Sequence, residues 1–107
     1  MQKLFAKDPN KIEAGLKLVG VEYPAGGRHI DLLCLDTNED YVVVELKLSL
    51  AYDQAIGQVL RYMGWIKKHR AKFDQQVRGI IVATKISEDL KLAVSMVPNV
   101  RWLEYSI

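Results

Sequence analysis

Asp31, Glu45 and Lys47 are the residues of this chain whose types and spacing can do chemistry. Glu45 and Lys47 stand two apart in the run Tyr41 to Leu48, so a strand there puts both on one face. The run His29 to Leu35 precedes it, joined by the five-residue hairpin loop Asp36-Thr37-Asn38-Glu39-Asp40. Closing that loop symmetrically about Asn38 sets Leu35 opposite Tyr41, Leu33 opposite Val43 and Asp31 opposite Glu45. Carboxylates directly opposite on antiparallel strands have Cβ atoms roughly 4.5–5.5 Å apart, and like charges there destabilise the pair. A shared proton can compensate them, or a salt bridge from Lys47. A hard divalent cation fits better, because Mg²⁺ takes one or two carboxylates and keeps its other positions for water and phosphate oxygens. Two carboxylates with a lysine beside them suit metal-assisted phosphodiester hydrolysis, in which the ammonium stabilises developing charge or orients the nucleophile. The plainer alternative is an interstrand ion cluster on a solvated face.

Two further features bear on that choice. Gln58 and Tyr62 are i, i+4 partners on one face of a long helical pattern. They are either its ordinary polar edge or an amide that hydrogen-bonds a metal-bound water or phosphate, with a tyrosine supporting it. Glu13, in a first helix, is either an outer ligand of the same site or a first-turn charge that suits the helix dipole. Arg61, Lys67, Lys68, Arg70 and Lys72 crowd within a dozen residues, with His69 among them, while Asp36, Glu39, Asp40 and Glu45 concentrate elsewhere. Such a run is either a solvated helix end whose cations suit the dipole or a phosphate-binding surface.

The elements that must position these groups follow from periodicity and punctuation. Asp8-Pro9-Asn10 reads as a helix start, and Gly15 keeps that helix short. Leu16 to Tyr23 alternates as a strand, and Pro24-Ala25-Gly26-Gly27 is a turn. In the hairpin that follows, Ile30, Leu32 and Cys34 with Val42, Val44 and Leu46 form a continuous apolar layer. Ala51 to His69 is the longest helix; Ala55, Val59, Met63 and Ile66 form its stripe, and Gly57 and Gly64 predict close backbone packing against the sheet. Val77 to Ala83 is a buried-type strand, Ser87 caps a helix from Glu88 to Met96, and Val100 to Tyr105 is a last strand. The order α-β-β-β-α-β-α-β predicts a mixed sheet flanked by helices, an α/β fold.

Composition narrows the class. The 107 residues, half of them apolar and 26% charged, predict one globular domain over residues 1–107 and exclude a disordered chain. Lone Cys34 excludes an internal disulfide and a four-cysteine zinc site. No apolar run approaches the roughly 20 residues that cross a bilayer, and the charged start excludes a signal peptide, so a soluble cytoplasmic domain without membrane partners is expected. The net charge of +2 does not by itself advertise nucleic acid.

Taken together, Asp31, Glu45-Leu46-Lys47 and the Gln58 to Tyr62 segment resemble the PD-(D/E)xK nuclease superfamily, with the QxxxY motif of RecB-type members. Gly27-Arg28-His29-Ile30-Asp31-Leu32-Leu33, Tyr41 to Lys47 and Ile56 to Trp65 are similar to the nuclease domain of the NucS/EndoMS endonucleases. Val77 to Ala83 and Val97-Pro98-Asn99-Val100 extend that similarity over nearly the whole chain. The resemblance implies a restriction-endonuclease-like fold and a DNA endonuclease that uses Mg²⁺ or Mn²⁺, in repair or processing of structured DNA. It implies Asp31 and Glu45 as metal ligands with the Leu46 carbonyl, Lys47 as the catalytic lysine, and Glu13, Gln58 and Tyr62 as matching the family's accessory positions. Arg28, Arg61, Tyr62, Lys67 and Lys68 become candidate DNA contacts. His29 intrudes between Arg28 and Ile30 relative to the family pattern. The relatives' N-terminal DNA-binding and dimerisation domain has no counterpart within these residues, so mismatch specificity is not implied. Cutting both strands takes two sites, which makes a homodimer the economical arrangement. The alternative function is a DNA-binding or assembly module of nuclease fold that needs a separate partner protein. A cofactor enzyme of another class is disfavoured, since no Gly-rich phosphate loop follows a strand.

Overall fold

The computed structural model describes residues 1–106. Its elements are α1 (Gln2–Lys7), a 3-10 turn (Pro9–Lys11), β1 (Lys17–Ala25), β2 (Arg28–Leu35) and β3 (Tyr41–Ala51), then α2 (Gln54–His69), β4 (Val77–Ile86), α3 (Glu88–Ser95) and β5 (Val100–Glu104). The five strands form one sheet in sequence order. β1, β2 and β3 are antiparallel neighbours, and β3, β4 and β5 run parallel through the crossovers made by α2 and α3. This is the mixed α/β architecture that the pattern of strands and helices predicts.

Alternation along the strands gives the sheet two buried faces. One is covered by α2 and α3: Val59, Met63 and Ile66 of α2 and Leu90 and Val94 of α3 pack on Leu33, Val43 and Ile81. The other is covered by the first sixteen residues, whose Phe5, Ile12 and Leu16 pack on Leu32, Cys34, Val42, Val44, Ile80 and Val82. Two-sided burial explains why β3 and β4 read as near-continuous apolar runs.

Three local expectations are corrected. Asp8-Pro9 does not start the first helix but ends one: the Asp8 N–H closes α1 on the Leu4 carbonyl, and the chain restarts as a 3-10 turn in which Asp8 makes no side-chain cap. Ile30 belongs to the α2 side and not to the layer of Leu32 and Cys34. The alternation of β2 therefore slips at Asp31, which the β1 register passes over, going from Val21 opposite Leu32 to Tyr23 opposite Ile30, with Glu22 at φ +48° between them. Finally, Gly57 and Gly64 lie exposed with open space where a Cβ would stand.

The close approach of α2 to the sheet comes from the strand side instead. A Cβ on Gly79 of β4 would stand 2.8 Å from Val59 Cγ2 and 2.9 Å from Met63 Sδ. Met63 is flexible, but Val59 is stiff at χ1 and cannot swing away. Gly79→Ala is therefore expected to lower the unfolding free energy by about 1–3 kcal/mol, the usual cost of overpacking. Urea unfolding followed by circular dichroism measures it; an unchanged midpoint would mean that α2 lifts freely.

Candidate active site

The hairpin register is as expected over four pairs, Leu35 opposite Tyr41 through Leu32 opposite Val44, and the ladder stops there. Asp31 and Glu45 thus stand one position beyond the last ladder pair, neighbours through their side chains and not a pair of the ladder. Past that point a side chain replaces the ladder: Asp31 Oδ2 accepts the Leu46 backbone N–H at 2.8 Å. Gln2 of α1 reaches the Asp31 carbonyl from the other side, at 3.4 Å.

Glu45 points to the α2 side of β3 and is almost fully buried, 6% exposed. Burial first, then the hydrogen bond and charge of Asp31, push its carboxyl up to about 8, against the opposing charge of Lys47. Lys47, two residues on, shares that face, and its Nζ donates to Gln58 Oε1 of α2 at 3.0 Å. Tyr62, one turn further along α2, is buried beside the same carboxylates. Burial and then the Glu45 charge raise its hydroxyl above the usual tyrosine value, with Arg61 and Arg28 pulling the other way. The Arg61 guanidinium lies 5.7 Å from the Tyr62 ring centroid. Asp31, Glu45, Lys47, Gln58 and Tyr62 therefore gather in one place, built by the end of the β2–β3 ladder and the inner face of α2; Lys47 is the cation whose charge reaches Glu45, while Arg28 and Arg61 are exposed on the Tyr62 side.

Glu13 does not join them. It follows the 3-10 turn on the opposite face of the sheet, where both carboxylate oxygens are taken by Arg78 of β4, and Arg101 of β5 adds a second pair at 2.9 Å. The Arg78 guanidinium, with help from Arg101 and against the effect of burial, holds Glu13 below the usual carboxylate range. Arg78 also donates to buried Asp36 at 3.2 Å. Glu13 is thus a structural clamp tying the N-terminal segment to β4 and β5. The signal for it in the sequence is Arg78 itself, a charge inside an apolar strand that must find a partner.

Lys67 and Lys68 also lie apart, roughly 14–15 Å along the helix axis from Gln58 at 1.5 Å per residue. Lys67 donates to the Gln75 carbonyl, and Lys68 is exposed. Their neighbour Arg70 is a structural tie: it donates to the Tyr41 and Tyr23 hydroxyls at 2.9 and 2.8 Å and lies over both rings. His29 is exposed on the outer half of β2.

Two adjacent carboxylates with one ammonium carry a deficit of positive charge in a partly dry site. That donor set fits a hard divalent cation, which needs few protein oxygens and completes its shell with water and phosphate. Among the described residues no three His, Cys, Asp or Glu side chains gather as a metal site, in keeping with Glu13 lying elsewhere.

The family described as the endonuclease NucS C-terminal domain matches residues 1–104. This chain belongs to it. Endonuclease NucS of Pyrococcus horikoshii is 35% identical over 91 residues, which is 85% of this chain and 35% of that protein. Endonuclease NucS of Parafrankia is 35% identical over 92 residues, covering 86% of this chain and 41% of its own length. Among solved structures, a repair endonuclease from Pyrococcus abyssi superposes with a TM-score of 0.84 at 28% identity, over 97% of this chain and 44% of the other. A complex of EndoMS with double-stranded DNA gives 0.82 at 26% identity, over 98% and 43%. The chain thus spans between a third and a half of these NucS and EndoMS proteins, and its mixed five-stranded sheet with three helices is theirs.

Proposed function

We propose that residues 1–107 form one nuclease domain that hydrolyses DNA phosphodiester bonds with the help of Mg²⁺ or Mn²⁺, in repair or processing of structured DNA in the cytoplasm. The observation that carries this reading is Glu45, buried against Asp31 with only one ammonium to offset two carboxylates. Membership of the NucS nuclease-domain family supports the same chemistry.

Asp31 and Glu45, with the Leu46 carbonyl, would hold the divalent cation. When bound, the cation neutralises the scissile phosphate and acidifies a water. Lys47, steadied by Gln58, presents its ammonium beside the carboxylates, where it orients the attacking water and offsets charge that builds on the phosphorus oxygens. Arg28 and Arg61, both exposed and both close enough for their charges to reach Tyr62, supply the phosphate contacts, the Arg61 guanidinium lying over the buried Tyr62 ring. One P–O bond forms to the water oxygen and one breaks, leaving a phosphomonoester and a hydroxyl. Two-fold pairing of two such chains would place a site on each strand. No helix among the described residues is long and apolar enough to cross a membrane.

The test is a panel of labelled DNAs (duplex, mismatched, branched, flapped and single-stranded) incubated with Mg²⁺, with Mn²⁺ and with EDTA, beside calorimetric titration of Mn²⁺. Cleavage of one or more DNAs that EDTA stops, with heat of metal binding, is the expected result. No heat and no cleavage would overturn it and leave a DNA-holding module of nuclease fold.

A further inference from the structure

A cleft of about 380 Å³ opens beside the candidate site and shares two of its walls, Lys47 and Gln58. Its floor is apolar, from Leu50 and Ala55, and its far rim carries Tyr52 and Gln54. An irregularity in β3 makes room for it. The parallel register with β4 shifts by one residue between Lys47 opposite Ala83 and Leu50 opposite Lys85, so the strand carries one residue too many there and bends away from the line of the sheet.

Tyr52 stands out among the tyrosines. Tyr23 and Tyr41 are held by Arg70, Tyr62 lies beside Arg61, and Tyr105 packs edge-on against Phe5. Tyr52, 57% exposed, has no hydrogen bond or ring partner for its side chain among the described residues. Its backbone is nonetheless fixed on both sides. The Ala51 carbonyl accepts the Ser87 N–H, and the Tyr52 carbonyl accepts the Ala55 N–H, both within 3.0 Å. A rigidly mounted, uncommitted aromatic ring, an apolar floor and an amide at the rim form a surface suited to a flat heteroaromatic group with polar edges. Whatever enters is continuous with the position of the scissile phosphate, because Lys47 and Gln58 belong to both.

We infer that Tyr52 is a substrate-positioning residue: it stacks on the nucleobase next to the scissile phosphate, splayed into this cleft, while the Gln54 amide meets the edge of that base. The inference rests on the nuclease reading and sharpens it. Stacking of this kind is sequence-tolerant, since every base has a π-face, so the cleft selects an accessible base and not a particular one. Phosphate contacts through Arg28 and Arg61 supply attraction, and Tyr52 sets which phosphate is presented to Lys47.

The test uses wild type, Tyr52→Ala and Tyr52→Phe with fluorescein-labelled oligonucleotides, binding being measured by anisotropy in EDTA and cleavage with Mn²⁺. One set of oligonucleotides carries an abasic nucleotide at successive positions around the mapped cut. Tyr52→Ala is expected to weaken binding and raise KM by roughly 5–150-fold, the range for one base–aromatic stack, while Tyr52→Phe stays within about twofold. An abasic nucleotide at the one position beside the cut should erase the difference between wild type and Tyr52→Ala. Equal affinity and KM for Tyr52→Ala and wild type, or a penalty that no abasic position removes, would overturn the inference and leave the nuclease reading standing. DNA binding that depends on Tyr52 without any metal-dependent cleavage would leave the base contact and overturn the nuclease reading. A wild type that neither binds nor cuts overturns both.

Discussion

Glu45→Gln is expected to abolish DNA cleavage and, in the same molecule, to stabilise the metal-free protein. The two effects have one cause. The Glu45 carboxyl is buried beside Asp31, and its ionised form costs free energy unless a cation is present. The neutral amide keeps the shape and removes the cost, but it also removes a negative oxygen from the donor set. Losses of about 10²–10⁴-fold accompany removal of a single acid, base or electrostatic group at such a centre, and metal affinity falls as well. Asp31→Asn should lose activity similarly, and also weakens the Leu46 N–H contact that links β2 and β3 past their ladder. Lys47→Ala should lose activity while retaining Mn²⁺ binding, since the ammonium is not a ligand. Gel-based cleavage rates, calorimetric Mn²⁺ titration and thermal melts on the three variants read all of this. Cleavage within tenfold of wild type in Glu45→Gln or Lys47→Ala would remove these residues from the mechanism.

The second large effect is the dependence of stability on pH. Glu45 titrates about 8 in the folded protein against an ordinary value of 4.5. A raised carboxyl favours the folded state while protonated, so its contribution is fully present below about 4.5 and is lost as the pH rises through about 8. Every tenfold difference in proton affinity between the folded and unfolded chain is worth about 1.4 kcal/mol, which makes the total loss on the order of a few kcal/mol. For a domain of this size that lowers Tm by on the order of 10 °C or more between pH 5 and pH 8.5 in EDTA. Adding Mn²⁺ should cancel most of the fall, because a ligand that binds only the folded state adds stability by mass action. In Glu45→Gln the slope across this window should flatten. Glu13 acts in the opposite sense and at lower pH: its lowered carboxyl stabilises the fold above its ordinary value of 4.5 and loses that effect in acid. A wild-type Tm that is flat or rises from pH 5 to 8.5 in EDTA would show that Glu45 ionises freely and that no charge deficit exists.

Local regularities make most of this architecture legible in the sequence. The five-residue loop about Asn38 set the β2–β3 register, and the 3.6-residue stripe from Ala55 to Ile66 set the buried face of α2. Ser87 capped α3 as its residue type suggests, accepting the Leu90 N–H at 3.1 Å. What stayed hidden depends on distant partners or on breaks in regularity. The slip at Asp31 reverses the face of Ile30, and no period-two count anticipates a slip. Glu13 is bound 65 and 88 residues away in sequence, to Arg78 and Arg101, so its neighbours say nothing of its role. Gly57 and Gly64 suggest a close approach because glycine permits one; the approach of α2 to β4 requires its glycine in the strand instead, at Gly79. The gathering of Lys47 with Gln58 and Tyr62 could be expected from the family resemblance, but its basis is the crossing of α2 over β3. The cleft at Tyr52 follows from one surplus residue in β3, which composition does not disclose.

Arg70, wedged between Tyr23 and Tyr41, fastens only one end of α2. At the other end Asp53 makes no side-chain cap, and Gly57 gives up roughly 1 kcal/mol of helix propensity relative to alanine within the first turns. That end is held by main chain instead: the Ala51 carbonyl accepts the Ser87 N–H and the Tyr52 carbonyl accepts the Ala55 N–H. The two tethers of α2 thus differ in kind, side chains at the far end and peptide groups near the carboxylates, which leaves the Tyr52 and Gln54 side chains there unspent on holding the helix in place.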